Sequence, residues 1–358
     1  MGRNTLIGTV IQSLRKNVVD IVLLLTLASF GLFILLTISG NLATQQLLYV
    51  LGSMGILLVL SLFDASLLIW LAPFGYLVGV FLLLLSYFGP LIRGAKRWIF
   101  IGSVQFQTSE LAKPLFLLAY AWLIARLPPK TLRNVAIHAT VFILPFVLVF
   151  KQPDLGTSLV YAASWLAMMI AGGFPIRWFI VVVFIGSVFT PFLWGRLHDY
   201  QQARIQTFLN PALDPKGAGY NAVQSMIAVG SGEYFGRGLG RGTQSHLRFL
   251  PEYHTDFIFA TLVEELGLVG GLMLLLVYAG LIVRIIAPLI RGFVDGVIPF
   301  VYSIGLASMI VAQVFINMGM NMGIIPITGI TLPFVSYGGS SIVSIAVAFS
   351  FLWVLRRS

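Results

Sequence analysis

Asp256, Glu264 and Glu265 stand together in the run LPEYHTDFIFATLVEELG. Asp256 marks the point where a polar segment turns into an apolar helix, and an ionised carboxylate there is placed to act as general base toward a hydroxyl. On a helix Glu264 lies ~12 Å further along and about 80° around the axis, with Glu265 on the side opposite Asp256. Two adjacent carboxylates inside an apolar span are costly and point to function. Capping competes for Asp256, because aspartate is a good N-cap, although Thr255 could take that role. Catalysis is the favoured reading. His254 and His246 could ligate a metal, but eight residues within a loop is not a diagnostic spacing, and hydrogen-bonding roles are preferred.

Three other clusters offer charge or backbone donors. In GAKRWIFIGSVQFQTSELAKP, apolar and polar residues alternate as in an interfacial or re-entrant segment. Glu110 and Lys113 are three apart and share a helix face. A self-satisfied ion pair is the plain reading, with Arg93 and Lys96 snorkelling to headgroups. For Arg97, Glu110 and Lys113 a functional role is favoured, since ionisable groups at the mouth of a span are usually paired for a purpose. In KQPDLGTS, Asp154 either caps the following helix or stands with Lys151 at the mouth of a cavity, and the residues leave both open. In PFVSYGGSS, Ser340 or Ser341 could cap the last span while Gly338 and Gly339 expose backbone donors, which also suits an anion. The run VGSGEYFGRGLGRGTQSH lacks the preceding strand and GK[ST] ending of a phosphate loop, so a tight fold is its better explanation.

These residues sit in a chain that no soluble enzyme would have. Of 358 residues, 58% are hydrophobic and 9% charged, with mean hydropathy +0.97. Soluble domains carry roughly 25% charged residues. The net charge of +10 suggests cytoplasmic anchoring at anionic headgroups before it suggests an acidic ligand, and nucleic acid is a poor third. Cysteine is absent, which excludes disulfides, thiolate zinc sites and thiol catalysis.

Apolar segments at 18–38, 47–63, 66–88, 109–125, 134–150, 157–173, 178–194, 257–284, 298–323 and 338–355 predict an all-α polytopic membrane protein. At ~20 residues per crossing they make about ten transmembrane helices, with the large extracytoplasmic loop 195–256 between helices 7 and 8. The whole of 1–358 reads as one transmembrane domain. An even count puts both termini on one side, and the terminal arginines make it cytoplasmic. Eleven of the 22 Lys and Arg residues then lie inside and five in the short outer loops. Four of those five fall between Arg93 and Lys113. All four polar clusters lie in or beside outward-facing loops, each leading into a helix N-terminus, the end that favours anions. One outward-facing polar site is the economical interpretation.

At QPDLGT, ARIQTFLNP, the SGE glycine-rich loop, LPEYHTDFIFATLVEELG, PFVSYGGSS and ELAKP, the chain resembles the SEDS family (shape, elongation, division and sporulation). The motifs occur in order over most of its length. Within the family it resembles the RodA-type, elongation branch more than the division branch. The resemblance implies a peptidoglycan glycosyltransferase that polymerises lipid II at the outer face of the bacterial cytoplasmic membrane. The lipid-linked nascent glycan would be donor and incoming lipid II acceptor. Asp256 carries over as base for the acceptor hydroxyl, with inversion and undecaprenyl pyrophosphate leaving. Arg97, Glu110, Lys113, Asp154 and Arg204 match other cavity positions of the family. Its partner is a class B penicillin-binding protein, a transpeptidase. A pyrophosphate leaving group needs cations, which Arg97, Lys113 and Arg204 could supply. Mg2+ could assist, but no ligand set is evident, and no cofactor is otherwise expected.

Two rivals stand beside this reading. A transporter flipping lipid II suits ten spans and the Glu264–Glu265 pair, although alternating access places its site near the midplane. A non-catalytic scaffold for the transpeptidase would not need Asp256, Arg97 and Lys113 together.

Overall fold

The computed structural model describes residues 6–92, 94–102, 104–178, 180, 181, 184, 195, 202, 206–211 and 217–357. Among these, helices dominate: α1 (Leu6–Ile38), α2 (Gly40–Leu60), α3 (Ala65–Leu85), α4 (Thr108–Arg126), α5 (Leu132–Lys151) and α6 (Leu155–Ala171). They are followed by α7 (Ala218–Ser231), α8 (Thr243–His246), α9 (Ile258–Ile290), α10 (Val297–Asn321) and α11 (Gly339–Leu355). Between α3 and α4, strands β1 (Trp98–Ile101) and β2 (Val104–Gln107) form an antiparallel hairpin.

Six helices, α1, α2, α3, α5, α9 and α10, are long and apolar enough to cross a membrane. The chain is a multi-pass membrane protein. Helices α6 and α11 are apolar but have 17 residues each, and α4 carries Glu110 and Lys113 near its start. The expected seventh span, 178–194, lies almost wholly outside the described residues, as do Arg93, His198 and Arg204.

Burial separates a centre from a rim. The most apolar window of α10 is 56% buried, against 22–33% for the other five long spans. Helix α10 packs on α4, α6 and α9, while α11 packs on α2 and α4. Helix α3 buries Leu68, Ala72, Gly79 and Leu83 and exposes Trp70, Leu77 and Phe81. That stripe at helical spacing is what a span needs when one side meets protein and the other lipid. Close approach is bought by small residues: a Cβ on Gly31 of α1 would stand 2.1 Å from the Val335 carbonyl oxygen.

Three elements depart from the sequence expectation. The alternating segment at 98–107, expected as interfacial or re-entrant, is a β-hairpin; Trp98 pairs with Gln107 and Ile101 with Val104. Antiparallel pairing satisfies the backbone groups that an isolated interfacial strand would leave open. The segment 195–256 is not simply a loop, because it contains α7 and α8. Helix α9 is broken at Gly267, whose φ of 72° and ψ of −171° are non-helical. The broken turn is repaired by the glycine-rich run. Arg237 N–H donates to the Glu264 carbonyl (2.9 Å) and Gly238 N–H to that of Glu265 (3.1 Å). Beyond the break, Leu268 and Val269 donate to the carbonyls of Glu233 (2.9 Å) and Tyr234 (3.1 Å). A helix can be interrupted at membrane depth only where other protein groups satisfy the freed backbone.

Candidate functional site

Three of the four polar clusters meet around one cavity of about 270 Å³. Its walls include Arg97, Trp98, Gln105, Gln107 and Glu110 from the hairpin and α4. The run before α9 supplies Glu252, His254, Thr255 and Asp256, while Tyr49 of α2, Gly329, Thr331 and residues 337–341 complete it. Ligand sites begin at ~300 Å³, so the cavity suits part of a large substrate.

Asp256 reaches it because other residues do the local structural work. Neither Asp256 nor Thr255 caps α9; the N-cap is Phe257 and makes no side-chain cap bond. The cap comes from another helix. Asn321 Oδ1 accepts from Ala260 N–H at 3.0 Å, one of the first-turn donors that have no partner within their own helix. Three consecutive carbonyls are then fixed from outside. His254 O accepts from Tyr337 N–H at 2.9 Å and Thr255 O from Ser336 Oγ at 2.7 Å. Asp256 O accepts from Nδ2 of Asn317 (2.9 Å) and of Asn321 (3.1 Å). Glu252 holds φ at 54°, a region that non-glycine residues adopt at a cost of ~1–3 kcal/mol and that clusters at functional sites. Its Oε2 accepts from Thr255 Oγ1 at 3.0 Å.

The charged wall is a set of buried pairs. Lys113 Nζ and Glu110 Oε1 are 2.6 Å apart, with both side chains at most 5% exposed. Glu110 O accepts from Ser344 Oγ at 2.7 Å, which ties α4 to α11. Glu110 Oε2 and Arg97 Nε make no hydrogen bond among the described residues, and both residues line the cavity. They therefore have capacity left for a ligand. Lys113 itself faces a small pocket beneath, with Phe116, Tyr120, Tyr161 and Ser164. Asp154 takes the capping role, and it does not stand with Lys151 at the cavity mouth. Oδ1 accepts from Thr157 N–H (3.1 Å), capping α6. Oδ2 accepts from Gln107 Nε2 at 3.0 Å and stands 3.6 Å from the Arg97 guanidinium. Asp154 thus orients Arg97 from behind rather than lining the cavity.

Several candidates stand elsewhere. Lys151 is exposed in the last turn of α5 and is not part of the cavity wall. Glu264 and Glu265 are buried against the glycine-rich run instead. Glu264 accepts from Gln244 N–H (2.9 Å) and Thr243 Oγ1 (3.2 Å). Glu265 accepts from Gly240 N–H and Thr37 Oγ1, both at 3.1 Å, and contacts His246 Nε2 at 3.0 Å. These carboxylates fasten the loop into the helix break. Ser340 and Ser341 lie inside α11, whose N-cap is Gly338 without a side-chain bond, so neither serine caps. Ser340 Oγ instead accepts from Gln107 N–H (2.9 Å), and Ser341 Oγ from Thr331 Oγ1 (3.2 Å). Among the described residues no group of three or more His, Asp or Glu is placed to hold a metal ion.

The sequence reading missed Asn317 and Asn321, two fully buried amides one turn apart on α10. Polar residues at i and i+4 in an otherwise apolar span were the available signal. It also missed Tyr337, Glu252 and Gly329.

A bundle of apolar helices that holds a cavity lined by both carboxylates and a guanidinium defines a class: polytopic membrane proteins with a polar chamber. The family model described as cell cycle protein, covering FtsW, RodA and SpoVE, matches residues 15–358, and the chain belongs to that family. It is 44% identical over 281 residues to the peptidoglycan glycosyltransferase MrdB of Escherichia coli K12, covering 78% of this chain and 75% of the other. It is 34% identical over 344 residues to the peptidoglycan glycosyltransferase RodA of Treponema pallidum, covering 75% and 79%. Among solved structures, RodA of Thermus thermophilus superposes with TM-score 0.71 at 26% identity, covering 94% and 95%. A chain from a peptidoglycan synthase complex that coordinates polymerization and crosslinking superposes at 0.81 and 29%, covering 94% and 96%.

Proposed function

We propose that this peptidoglycan glycosyltransferase polymerises lipid II into glycan strands at the outer face of the bacterial cytoplasmic membrane, with both termini in the cytoplasm. Asp256 removes the proton from the acceptor sugar hydroxyl as its oxygen attacks the anomeric carbon of the lipid-linked glycan. The bond from that carbon to the pyrophosphate oxygen breaks, configuration inverts, and undecaprenyl pyrophosphate leaves with the bonding electrons. Arg97 takes part of the developing negative charge, Lys113 and Arg204 being the other cations of the family pattern. Glu110 holds Lys113, and Asp154 holds Arg97. A divalent cation such as Mg2+ would add to the charge stabilisation at the pyrophosphate. A class B penicillin-binding protein is the proposed partner, in keeping with the synthase complex that the chain resembles.

One observation carries the reading: Asp256 and Arg97 line the same cavity, as displacement of an anionic leaving group by a hydroxyl requires. The paired surroundings of Glu264 and Glu265 remove the feature that most suited a transporter. The test is glycan synthesis from purified lipid II by the purified chain with its transpeptidase, alongside lipid II flipping in proteoliposomes. Polymer without flipping is expected; flipping without polymer would favour the transporter.

A further inference from the structure

Resting on that reading, we propose that the accepting sugar binds on the Tyr337 ring, on the side of the cavity formed by the run before α9 and the run before α11. The cations are unevenly placed. Among the described residues that line the cavity, Arg97, on the hairpin side with Glu110, is the one Lys or Arg, and the runs before α9 and α11 bring none to it. A pyrophosphate is drawn toward Arg97. The sugar that meets Asp256 then lies on the other side of the cavity.

A pyranose presents an apolar C–H face with a polar rim, and an aromatic ring with polar neighbours matches it. Tyr337 is held ready for that contact. Its hydroxyl donates to Gln45 Oε1, and its N–H donates to the His254 carbonyl at 2.9 Å. Its ring centroid is 5.6 Å from that of His254 and 6.1 Å from that of Tyr49, both rings tilted against it. A ring fixed in this way loses little freedom when a ligand stacks on it. The way to the base is also open. Gly329 has φ of +73°, and a Cβ there would stand 3.3 Å from Asp256 Oδ2. With glycine at 329, that space beside the carboxylate is left to an incoming hydroxyl.

The experiment compares the purified full-length chain, with its transpeptidase, carrying Tyr337→Leu or Tyr337→Phe. Tyr337→Leu is expected to raise KM for lipid II about five- to tenfold, the scale of one lost aromatic contact, with kcat little changed. Tyr337→Phe keeps the ring, loses the hydroxyl bond to Gln45, and is expected to raise KM less than Tyr337→Leu does. A wild-type KM in Tyr337→Leu, or equal losses in the two variants, overturns the proposal. A second measurement covers a leucine variant that fails to fold: saturation-transfer NMR on the wild type with a lipid-free N-acetylglucosaminyl–N-acetylmuramyl disaccharide. Transfer from tyrosine ring protons to the sugar C–H protons is expected, and its absence overturns the proposal. Absence of polymer from the wild type would strike the parent reading, whereas normal polymer with indifferent Tyr337 variants strikes this inference alone.

Discussion

Replacing Asn321 by leucine separates the positioning of Asp256 from the stability of the bundle. The leucine fills similar space but removes both halves of the amide. Ala260 N–H loses its acceptor at 3.0 Å, and Asp256 O loses one of two donors while keeping Asn317 at 2.9 Å. One buried donor without a partner costs ~1–3 kcal/mol, so the fold is expected to survive with a lowered unfolding transition. The first turn of α9 is then free to shift, and a displacement of ~1 Å at a reacting group lowers the rate about a hundredfold. Single-turnover polymerisation of lipid II should show kcat falling on that scale with KM nearly unchanged. Ser225→Ala serves as control. It deletes hydrogen bonds to the Asn321 carbonyl (2.9 Å) and to Asn321 Oδ1 (3.4 Å) but keeps the Asn321 Nδ2 bond to Asp256 O and the Oδ1 bond to Ala260 N–H, and should cost ~1 kcal/mol with kcat preserved. A normal kcat in Asn321→Leu, with the expected loss of stability, would refute the positioning argument.

Other outcomes follow from the same geometry. Lys113→Met leaves Glu110 buried without its cation and should destabilise by ~3–5 kcal/mol; the Lys113→Met/Glu110→Gln pair should recover part of that loss in thermal unfolding. Glu265→Ala releases Gly240, Thr37 and His246 together, so limited proteolysis should cut the 237–243 run faster than in wild type. Burial, and then the neighbouring Tyr49, pushes the Tyr337 phenol up to about 12, above the ordinary ~10. The stability this contributes is whole below pH 10, where a free phenol stays protonated, and is lost as pH rises through about 12. Ultraviolet titration should therefore show one fewer tyrosine ionising near pH 12 in Tyr337→Phe than in wild type.

The sequence displayed Asp256 and the charged wall because their cues are local. A carboxylate at the head of an apolar run and an i,i+3 ion pair need no knowledge of tertiary contacts. The devices that place Asp256 were not legible, since their partners are remote. Asn317 and Asn321 lie 61 and 65 residues from it, and an isolated amide in an apolar span reads as tolerated polarity. Glu264 and Glu265 misled for a related reason. Their charge was visible, but the glycine-rich run that satisfies them becomes a partner only once Gly267 breaks the helix. The alternation of the hairpin is visible too, and it suits an interfacial or re-entrant segment because alternation alone does not name the strand's partner. Parity of the spans puts the four clusters on one side; residues of three of them wall the cavity, and the fourth contributes Asp154 beside Arg97.

The central claim is that the Asp256 carboxylate takes the proton of the attacking hydroxyl. Asp256→Asn keeps the shape and the backbone carbonyl held by Asn317 and Asn321 and removes only the base. Purified with its transpeptidase and given lipid II, this variant should bind substrate as wild type does, unfold at the same temperature and make no glycan. Polymer formed at the wild-type rate would contradict the assignment.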